Sequence, residues 1–151
     1  MAIDLPELVN QLFTGFVTAL FTIIGGVIVL VAGQLAVKFF IDPLHEQAKL
    51  LGEIAHSMTF YANVFRHSDV LEKEVVNETS ETLRWQASRL RASAWTIRWY
   101  SMWELLKLVP RRENAIRASQ LLIGLLNSMH TGDFEGIHWR REKIKELLGF
   151  E

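Results

Sequence analysis

Three arginines at heptad spacing form the most distinctive polar pattern in this chain. Arg84, Arg91 and Arg98 share one face of a predicted helix, and Trp85 and Trp99 lie directly beside that face. Guanidinium and indole groups can hold phosphates and stack on bases, or the arginines can pair with glutamates of a neighbouring helix. Pairing is the preferred interpretation, because all but two of the 17 acidic residues lie in the same part of the chain as the 16 basic ones and leave no broad basic field for nucleic acid.

A set of tryptophans follows at four-residue intervals, namely Trp95, Trp99 and Trp103, with Tyr100 adjacent. So many aromatic residues within nine positions exceed what the core of a small helical bundle needs. Indole rings suit a protein core, an oligomer surface or the headgroup layer of a membrane. We expect an aromatic contact surface here, in the core or between copies.

No catalytic or cofactor motif accompanies these residues. His45, His56 and His67 recur every eleven residues, but about 16 Å of helix rise between neighbours prevents them from sharing one metal ion. The sequence contains no cysteine, phosphate-binding loop, dinucleotide glycine motif or nucleophile elbow. It therefore predicts a protein that is not an enzyme and that has no metal site and no cofactor.

All of these residues follow a stretch of thirty, residues 8–37, that contains no Asp, Glu, Lys or Arg. About twenty apolar residues suffice for a helix to cross a bilayer, so the stretch predicts one membrane span. A cleaved signal peptide is the alternative, but the acidic start, the length and the lack of a clear A-x-A site disfavour it. Every Lys and Arg lies at or beyond Lys38, which predicts an inner-membrane protein with its N-terminus outside and its C-terminal domain in the cytoplasm.

Small residues recur at three- and four-residue intervals along the predicted span and so share one helix face. This packing face consists of Gly15, Ala19, Thr22, Gly26 and Gly33. Helices in lipid associate through close packing of small residues, so the face predicts a helix–helix contact, most simply between copies of the chain. The lack of charge in the span disfavours a proton relay or an ion site within a single copy.

The apolar spacing beyond the span is helical throughout. We expect an all-α fold, with an N-terminal tail and transmembrane helix in residues 1–41 and a cytoplasmic four-helix bundle in residues 42–151. Asp42-Pro43 predicts a break and the start of the first bundle helix, which should end near His67-Ser68. Its expected heptad seam is Leu44, Ala48, Leu51, Ala55, Met58, Ala62 and Phe65.

Three more helices are predicted after a loop over residues 68–80 with a cap near Asn77 or Thr79. The first is expected to continue to Leu108, before Pro110, and the second to run from Arg112 to Met129. The third follows the turn at Gly132-Asp133. Their expected inward-facing residues are Leu83, Ala87, Leu90, Ala94 and Ile97, then Ile116, Leu122, Ile123, Leu126 and Met129, then Ile137, Ile144, Leu147 and Leu148.

A series of short segments beyond Asp42 carries a resemblance. The segments are Gly52-Glu53-Ile54-Ala55, Tyr61-Ala62-Asn63-Val64, Leu90-Arg91-Ala92 with Trp95, Val109-Pro110, Arg112-Glu113-Asn114, Leu122-Ile123-Gly124-Leu125, Asn127-Ser128 and Glu146-Leu147-Leu148-Gly149. Together they resemble a family of small, uncharacterised bacterial and archaeal proteins with one N-terminal transmembrane helix and a cytoplasmic helical domain. The resemblance implies this fold and topology and brings no activity with it.

Four polar residues in these segments lie beside apolar seams and are expected to be at least half-buried: Glu53, Asn63, Arg91 and Asn127. Buried charges are usually paired, so Glu53 and Arg91 are predicted to form an internal salt bridge. A contact to a ligand is the alternative for this pair.

Three functions fit these patterns. The preferred one is a structural or pore-type homo-oligomer in the lipid bilayer that assembles through the span and the bundle. The second is an accessory subunit or adaptor of a larger membrane complex. The third is a membrane-tethered nucleic-acid or nucleotide effector of the phage-defence type, although nucleic acid is the least favoured partner.

Overall fold

The structure, a computed structural model, describes residues 5–66 and 73–150 and is all-α over that part of the chain. The helices are α1 (Leu5–Ala36), α2 (Asp42–Phe60), α3 (Ala62–Arg66), α4 (Lys73–Thr96), α5 (Tyr100–Leu105), α6 (Arg112–Thr131) and α7 (Phe134–Leu148), with a π-helical turn at Val37–Ile41. By its contacts the chain forms two compact units, residues 1–39 and 40–151. The division lies two residues before the expected boundary.

The first unit contains α1, which has 32 residues and buries none of them. It is long and apolar enough to cross a membrane, as a membrane anchor or a signal sequence would be. A run of exposed leucine, valine, isoleucine and phenylalanine side chains covers its surface. Such a surface needs lipid or protein around it, because apolar area in water is unfavourable at about 25 cal/mol per Å².

The predicted start of the first bundle helix at Asp42 is confirmed, but the break expected there is wrong, because helical backbone continues from Leu5 to Phe60. Ile41 before α2 has right-handed helical angles, and no side chain caps the helix there. Proline lacks an N–H and its ring crowds the carbonyl four residues earlier, which is Phe39 here. The wider turn at Val37–Ile41 accommodates this conflict without ending the helix.

Four longer helices surround the core of the second unit. α6 packs along both α4 and α7, while α2 packs mainly against α4. The expected apolar face of α4 is confirmed, since Leu83, Ala87, Leu90 and Ala94 are buried, as is Ile97 just after the helix. The predicted start of α6 at Arg112 is confirmed, and α6 ends two residues after the predicted Met129. Helix α7 follows the turn at Gly132-Asp133 as predicted, and Ile137, Ile144 and Leu148 face the core. Ile123, expected inside, is exposed.

The seam of α2 is displaced from its predicted position. Ala48 is exposed, whereas the buried residues of the helix are Gln47, Leu50, Ile54, Ser57 and Met58. Two of these are polar and would not be chosen by hydrophobic spacing. They are accommodated because Gln47 Nε2 donates to the Tyr100 hydroxyl and Ser57 Oγ accepts from Gln86 Nε2, so these buried groups are hydrogen-bonded.

Helix α4 differs from its predicted bounds at both ends. It already begins at Lys73, so the cap expected near Asn77 or Thr79 is wrong, while His67 and residues 68–72 lie outside the described residues. It ends at Thr96 rather than Leu108, because Trp99 adopts a left-handed backbone with φ 54°. The break places Tyr100 in the core at 1% exposure.

Tyr100 ties the break to the start of α6. Its hydroxyl donates to the Pro110 carbonyl at 2.8 Å and accepts from Gln47 Nε2 at 3.1 Å. Burial raises the pKa of this hydroxyl above its ordinary value of 10.0. The Arg112 guanidinium lies over the same ring, 5.0 Å from its centroid. These contacts supply a physical reason for the helix to end where it does.

Candidate membrane and assembly surfaces

The predicted packing face of α1 is a continuous exposed surface. Gly15, Ala19, Thr22, Gly26 and Gly33 are all exposed, and a Cβ added at Gly15, Gly26 or Gly33 would meet no atom within 4 Å. Thr14, Thr18 and Thr22 each donate their hydroxyl to the carbonyl four residues earlier, at 2.8 Å. The threonine hydroxyls are therefore satisfied within the helix, as lipid-embedded helices require.

A shallow groove follows the N-terminal half of this face. It is lined by Asn10, Gln11, Thr14, Gly15, Thr18, Ala19, Thr22 and Ile23. The side-chain amides of Asn10 and Gln11 are exposed and make no hydrogen bond within the described residues. Unbonded amides beside small residues are the groups that hydrogen-bond and pack between helices in a membrane.

The three tryptophans expected to share a contact surface are divided by the break after α4. Trp95 and Trp99 are exposed at 67% and 65%. Trp103 is half-buried and donates its indole N–H to the Arg98 carbonyl at 3.1 Å. The Trp99 ring instead lies 5.2 Å from the ring of Phe40, the first residue of the second unit.

An apolar surface next to Trp99 was not predicted from the sequence. Leu105 is 82% exposed, and Leu106, Leu108 and Met102 are exposed too. The sequence predicted a continuous helix to Leu108 and did not place these side chains on an exposed surface. The only sequence signal for their exposure was the density of apolar residues itself, which is greater than one face of a helix can bury.

The predicted salt bridge between Glu53 and Arg91 is wrong. Glu53 pairs with Arg89 at 3.6 Å, both side chains being about one-third exposed, whereas Arg91 is exposed. Residues two apart on an α-helix lie on opposite sides of it, so Arg89 faces α2 and Arg91 cannot. Asn63 and Asn127 are also exposed rather than half-buried.

The basic stripe is exposed, and the pairing preferred for it is wrong. Among the described residues, Arg84, Arg91 and Arg98 form no ion pair. Arg84 and Arg91 line a groove of about 390 Å³ between α4 and α6. Its other lining residues are Ala87, Ser88, Ser119, Gln120 and Ile123. Arg98 lies beyond the end of α4, so helical spacing no longer aligns it with the other two.

Two buried glutamines are polar residues that the sequence did not reveal. Gln86 donates to Ser57 Oγ at 2.8 Å and to the Glu53 carbonyl at 3.3 Å. The Oε1 atoms of Gln86 and Gln47 are buried and accept no hydrogen bond from any described residue. Nothing in their spacing distinguishes them from surface glutamines.

The described residues contain no group of three or more His, Cys, Asp or Glu arranged to hold a metal ion. His45 and His56 are exposed on α2. The third member of that series, His67, lies outside the described residues.

No protein-family model, curated protein or solved structure matches the chain. The family resemblance of the sequence segments and the expected lack of enzymatic activity therefore stay predictions.

Proposed function

We propose that this chain is a single-pass inner-membrane protein that assembles into a homo-oligomer through the packing face of α1, with its N-terminus outside and residues 42–151 in the cytoplasm. The observation that carries the proposal is the exposed groove along α1, with its two unbonded amides among small residues. Those amides have little to bond in a hydrocarbon layer unless a second helix provides partners.

The composition of α1 favours a helix as the occupant of the groove. Glycine and alanine allow two backbones to approach closely, and each threonine keeps its hydroxyl bonded along its own helix. The opposite side of α1 carries bulky residues such as Phe13, Leu20 and Ile24, which suit contact with lipid tails. A helix that associates laterally in a membrane needs one side that contacts protein and another that contacts lipid, and α1 has both kinds of side.

The assembly is structural or encloses a pore. Since α1 contains no charged residue after Glu7, a lumen lined by it would be apolar, with threonine and amide groups near one end. A pore of this kind conducts only when it is wetted. Leakage of a small dye from liposomes separates the pore from a closed structural oligomer.

The mass of the full-length protein in nanodiscs, measured by native mass spectrometry, tests the proposal. We expect a single homo-oligomer of several copies. Gly15→Leu with Gly26→Leu should reduce it to monomers, because leucine fills the face where the backbones meet. Val27→Leu with Val31→Leu adds bulk to the opposite side of the same helix and is the matched control that should leave the mass unchanged.

A monomeric wild-type protein would contradict self-assembly. A mass explained by other chains purified with it in fixed ratio would also contradict it, and would support an accessory subunit or adaptor of a larger membrane complex.

A nucleotide or nucleic-acid effector is a second candidate, favoured by the groove lined by Arg84 and Arg91, which pair with no carboxylate of the described residues. Two guanidinium groups and the Gln120 amide along one groove are donors suited to phosphate oxygens, whereas the hydroxyls of Ser88 and Ser119 already donate to carbonyls of their own helices. Binding of labelled RNA and of ATP by the detergent-solubilised full chain at low and high salt tests this function. Arg84→Gln with Arg91→Gln should abolish binding, and Arg111→Gln with Arg117→Gln is the matched control. Binding that persists in Arg84→Gln with Arg91→Gln would exclude the groove as the binding site.

A further inference from the structure

An exposed apolar surface without an assigned role lies in the segment that follows α4 and precedes α6 in the chain. Residues 98–108 include α5 and carry a concentration of exposed apolar side chains. They are Trp99, Met102, Leu105, Leu106 and Leu108. Each of these side chains keeps at least 40% of its surface exposed, although the Trp99 ring contacts the ring of Phe40.

We infer that residues 98–108 form an interfacial anchor that inserts into the headgroup layer of an anionic membrane. This inference rests on the membrane anchorage proposed for α1, and it adds a second, independent contact with lipid made by the bundle itself. The occupant of the surface is the bilayer that α1 enters.

Chain connectivity fixes the depth of this surface. Lys38 is the first charged residue after the apolar stretch and marks where the chain leaves the hydrocarbon layer. Phe40 follows two residues later, and its ring lies 5.2 Å from the ring of Trp99. Trp99 is therefore held within a few residues' length of the hydrocarbon boundary, where indole rings partition most favourably.

The degree of exposure favours lipid. Leu105 is 82% exposed, and leucines 106 and 108 are more than half exposed. Moving a leucine side chain from water into an apolar environment is favourable, so leaving three of them in water beside an available membrane is unfavourable. Short amphipathic segments with aromatic and leucine residues insert about 5–10 Å into the boundary between headgroups and acyl chains.

The charge of the surroundings complements an anionic headgroup layer. Residues 98–112 contain four basic residues, namely Arg98, Lys107, Arg111 and Arg112, against one acidic residue, Glu104. Glu104 already accepts a hydrogen bond from the Arg112 backbone N–H at 3.2 Å. Each Lys or Arg near an anionic surface strengthens membrane binding, so this excess favours lipids such as phosphatidylglycerol.

Tryptophan quenching by brominated lipids tests the anchor in the full chain. The protein is placed in vesicles of phosphatidylcholine and phosphatidylglycerol, with or without bromine on the acyl chains near the headgroups. We expect Trp99→Phe to remove most of the quenchable emission. Trp139→Phe replaces a tryptophan of similar exposure on α7 and is the matched control that should leave the quenchable emission unchanged.

Two further variants keep the result interpretable. In a chain whose five tryptophans are phenylalanine, Phe21→Trp reports on α1, and its lack of quenching would show that the membrane anchorage itself has failed. Leu105→Asp with Leu106→Asp, made in the otherwise unchanged chain, leaves Trp99 in place and should abolish its quenching. The same two aspartates, made in the chain that carries Phe21→Trp, should leave the quenching of that tryptophan unchanged.

Three outcomes would overturn the anchor. The first is equal loss of quenchable emission in Trp99→Phe and Trp139→Phe. The second is quenching that is unaffected by the two aspartates. The third is a Trp99 emission that is shielded from brominated lipid and becomes solvent-exposed when the protein is diluted in the bilayer, which would assign the surface to a contact between proteins.

Discussion

Asp133 joins two helices through both of its carboxylate oxygens. Oδ1 accepts the Gly136 backbone N–H at 3.0 Å and caps α7, while Oδ2 accepts from Ser128 Oγ and Arg140 Nη1 at 3.3 Å each. The backbone bond from Gly136, followed by the bonds from Arg140 and Ser128, lowers the pKa of this carboxyl below its ordinary value of 3.8. Glycine at 136 leaves room for the network, since a Cβ there would collide with Asp133 and Arg140.

Stability should depend on the charge of Asp133 in acid. Because the folded pKa is lowered, the contribution is complete above pH 3.8 and is lost as the pH falls through the lower folded value. In thermal unfolding of the full chain in detergent, we expect Asp133→Asn to have a lower Tm than wild type at pH 7. The two Tm values should become equal near pH 2. Asp133→Ala should lower Tm further at pH 7, because it also removes the cap. Equal Tm differences at both pH values would contradict this assignment.

The Tyr100 hydroxyl is the second residue whose contribution is testable. Tyr100→Phe removes the bonds to Gln47 and Pro110 and leaves a buried amide unsatisfied. We expect a loss of about 1–3 kcal/mol in the free energy of unfolding, measured by chemical denaturation. Tyr61→Phe is the matched control, because the Tyr61 hydroxyl makes no hydrogen bond within the described residues and its loss should have little effect. Similar losses in both variants would exclude the Tyr100 network.

At the scale of elements, the end of α4 has a distinctive backbone. Trp99 has φ 54°, a conformation that costs a residue with a Cβ about 1–2 kcal/mol and glycine much less. Trp99→Gly should therefore be more stable than Trp99→Ala, as measured by chemical denaturation. Arg91, exposed within α4, is the control position. There the free energy of unfolding of Arg91→Ala should exceed that of Arg91→Gly by about 1 kcal/mol. If the alanine variant were the more stable one at both positions, the left-handed backbone at Trp99 would be contradicted and the continuous helix predicted from the sequence would be supported.

Helices α4, α6 and α7 could be predicted because their apolar residues face one core and their ends carry recognisable signals. Gly132 ends α6 with φ 70°, and Asp133 then caps α7, as turn chemistry predicts. The break expected at Asp42-Pro43 and the extension of α4 to Leu108 were predicted wrongly for a shared reason. Whether a proline is absorbed or a helix interrupted depends on tertiary contacts, such as the buried Tyr100, that local sequence does not contain.

At the scale of the whole molecule, the candidate surfaces also differ in whether local sequence or tertiary contacts determine them. The packing face of α1 follows from spacing alone, since nothing but the helix itself determines which residues share a side. The pairing of Glu53 depended instead on which flank of α4 faces α2, and spacing along α4 does not specify that. The structure places Arg89 on that flank, and Arg91 therefore stays available for the groove beside α6.

The orientation of the chain in the membrane leads to the last prediction. The first 37 residues contain no Lys or Arg, whereas all sixteen lie at or beyond Lys38, so the N-terminus should be exported and the bundle retained. The chain has no cysteine, which allows single introduced thiols to be labelled without background. In intact cells with a permeabilised outer membrane, an impermeant maleimide should label Glu7→Cys. Asn127→Cys, exposed on α6, should be labelled only after lysis.

The reverse pattern of labelling would contradict the proposed topology. A mature protein that lacks the Glu7→Cys label because its first helix has been removed would identify α1 as a signal sequence. Labelling at Glu7→Cys with a full-length mass supports the anchor, since a cleaved chain cannot retain that thiol. The same measurement then decides which leaflet residues 98–108 can reach, because a bundle retained in the cytoplasm has access only to the inner one.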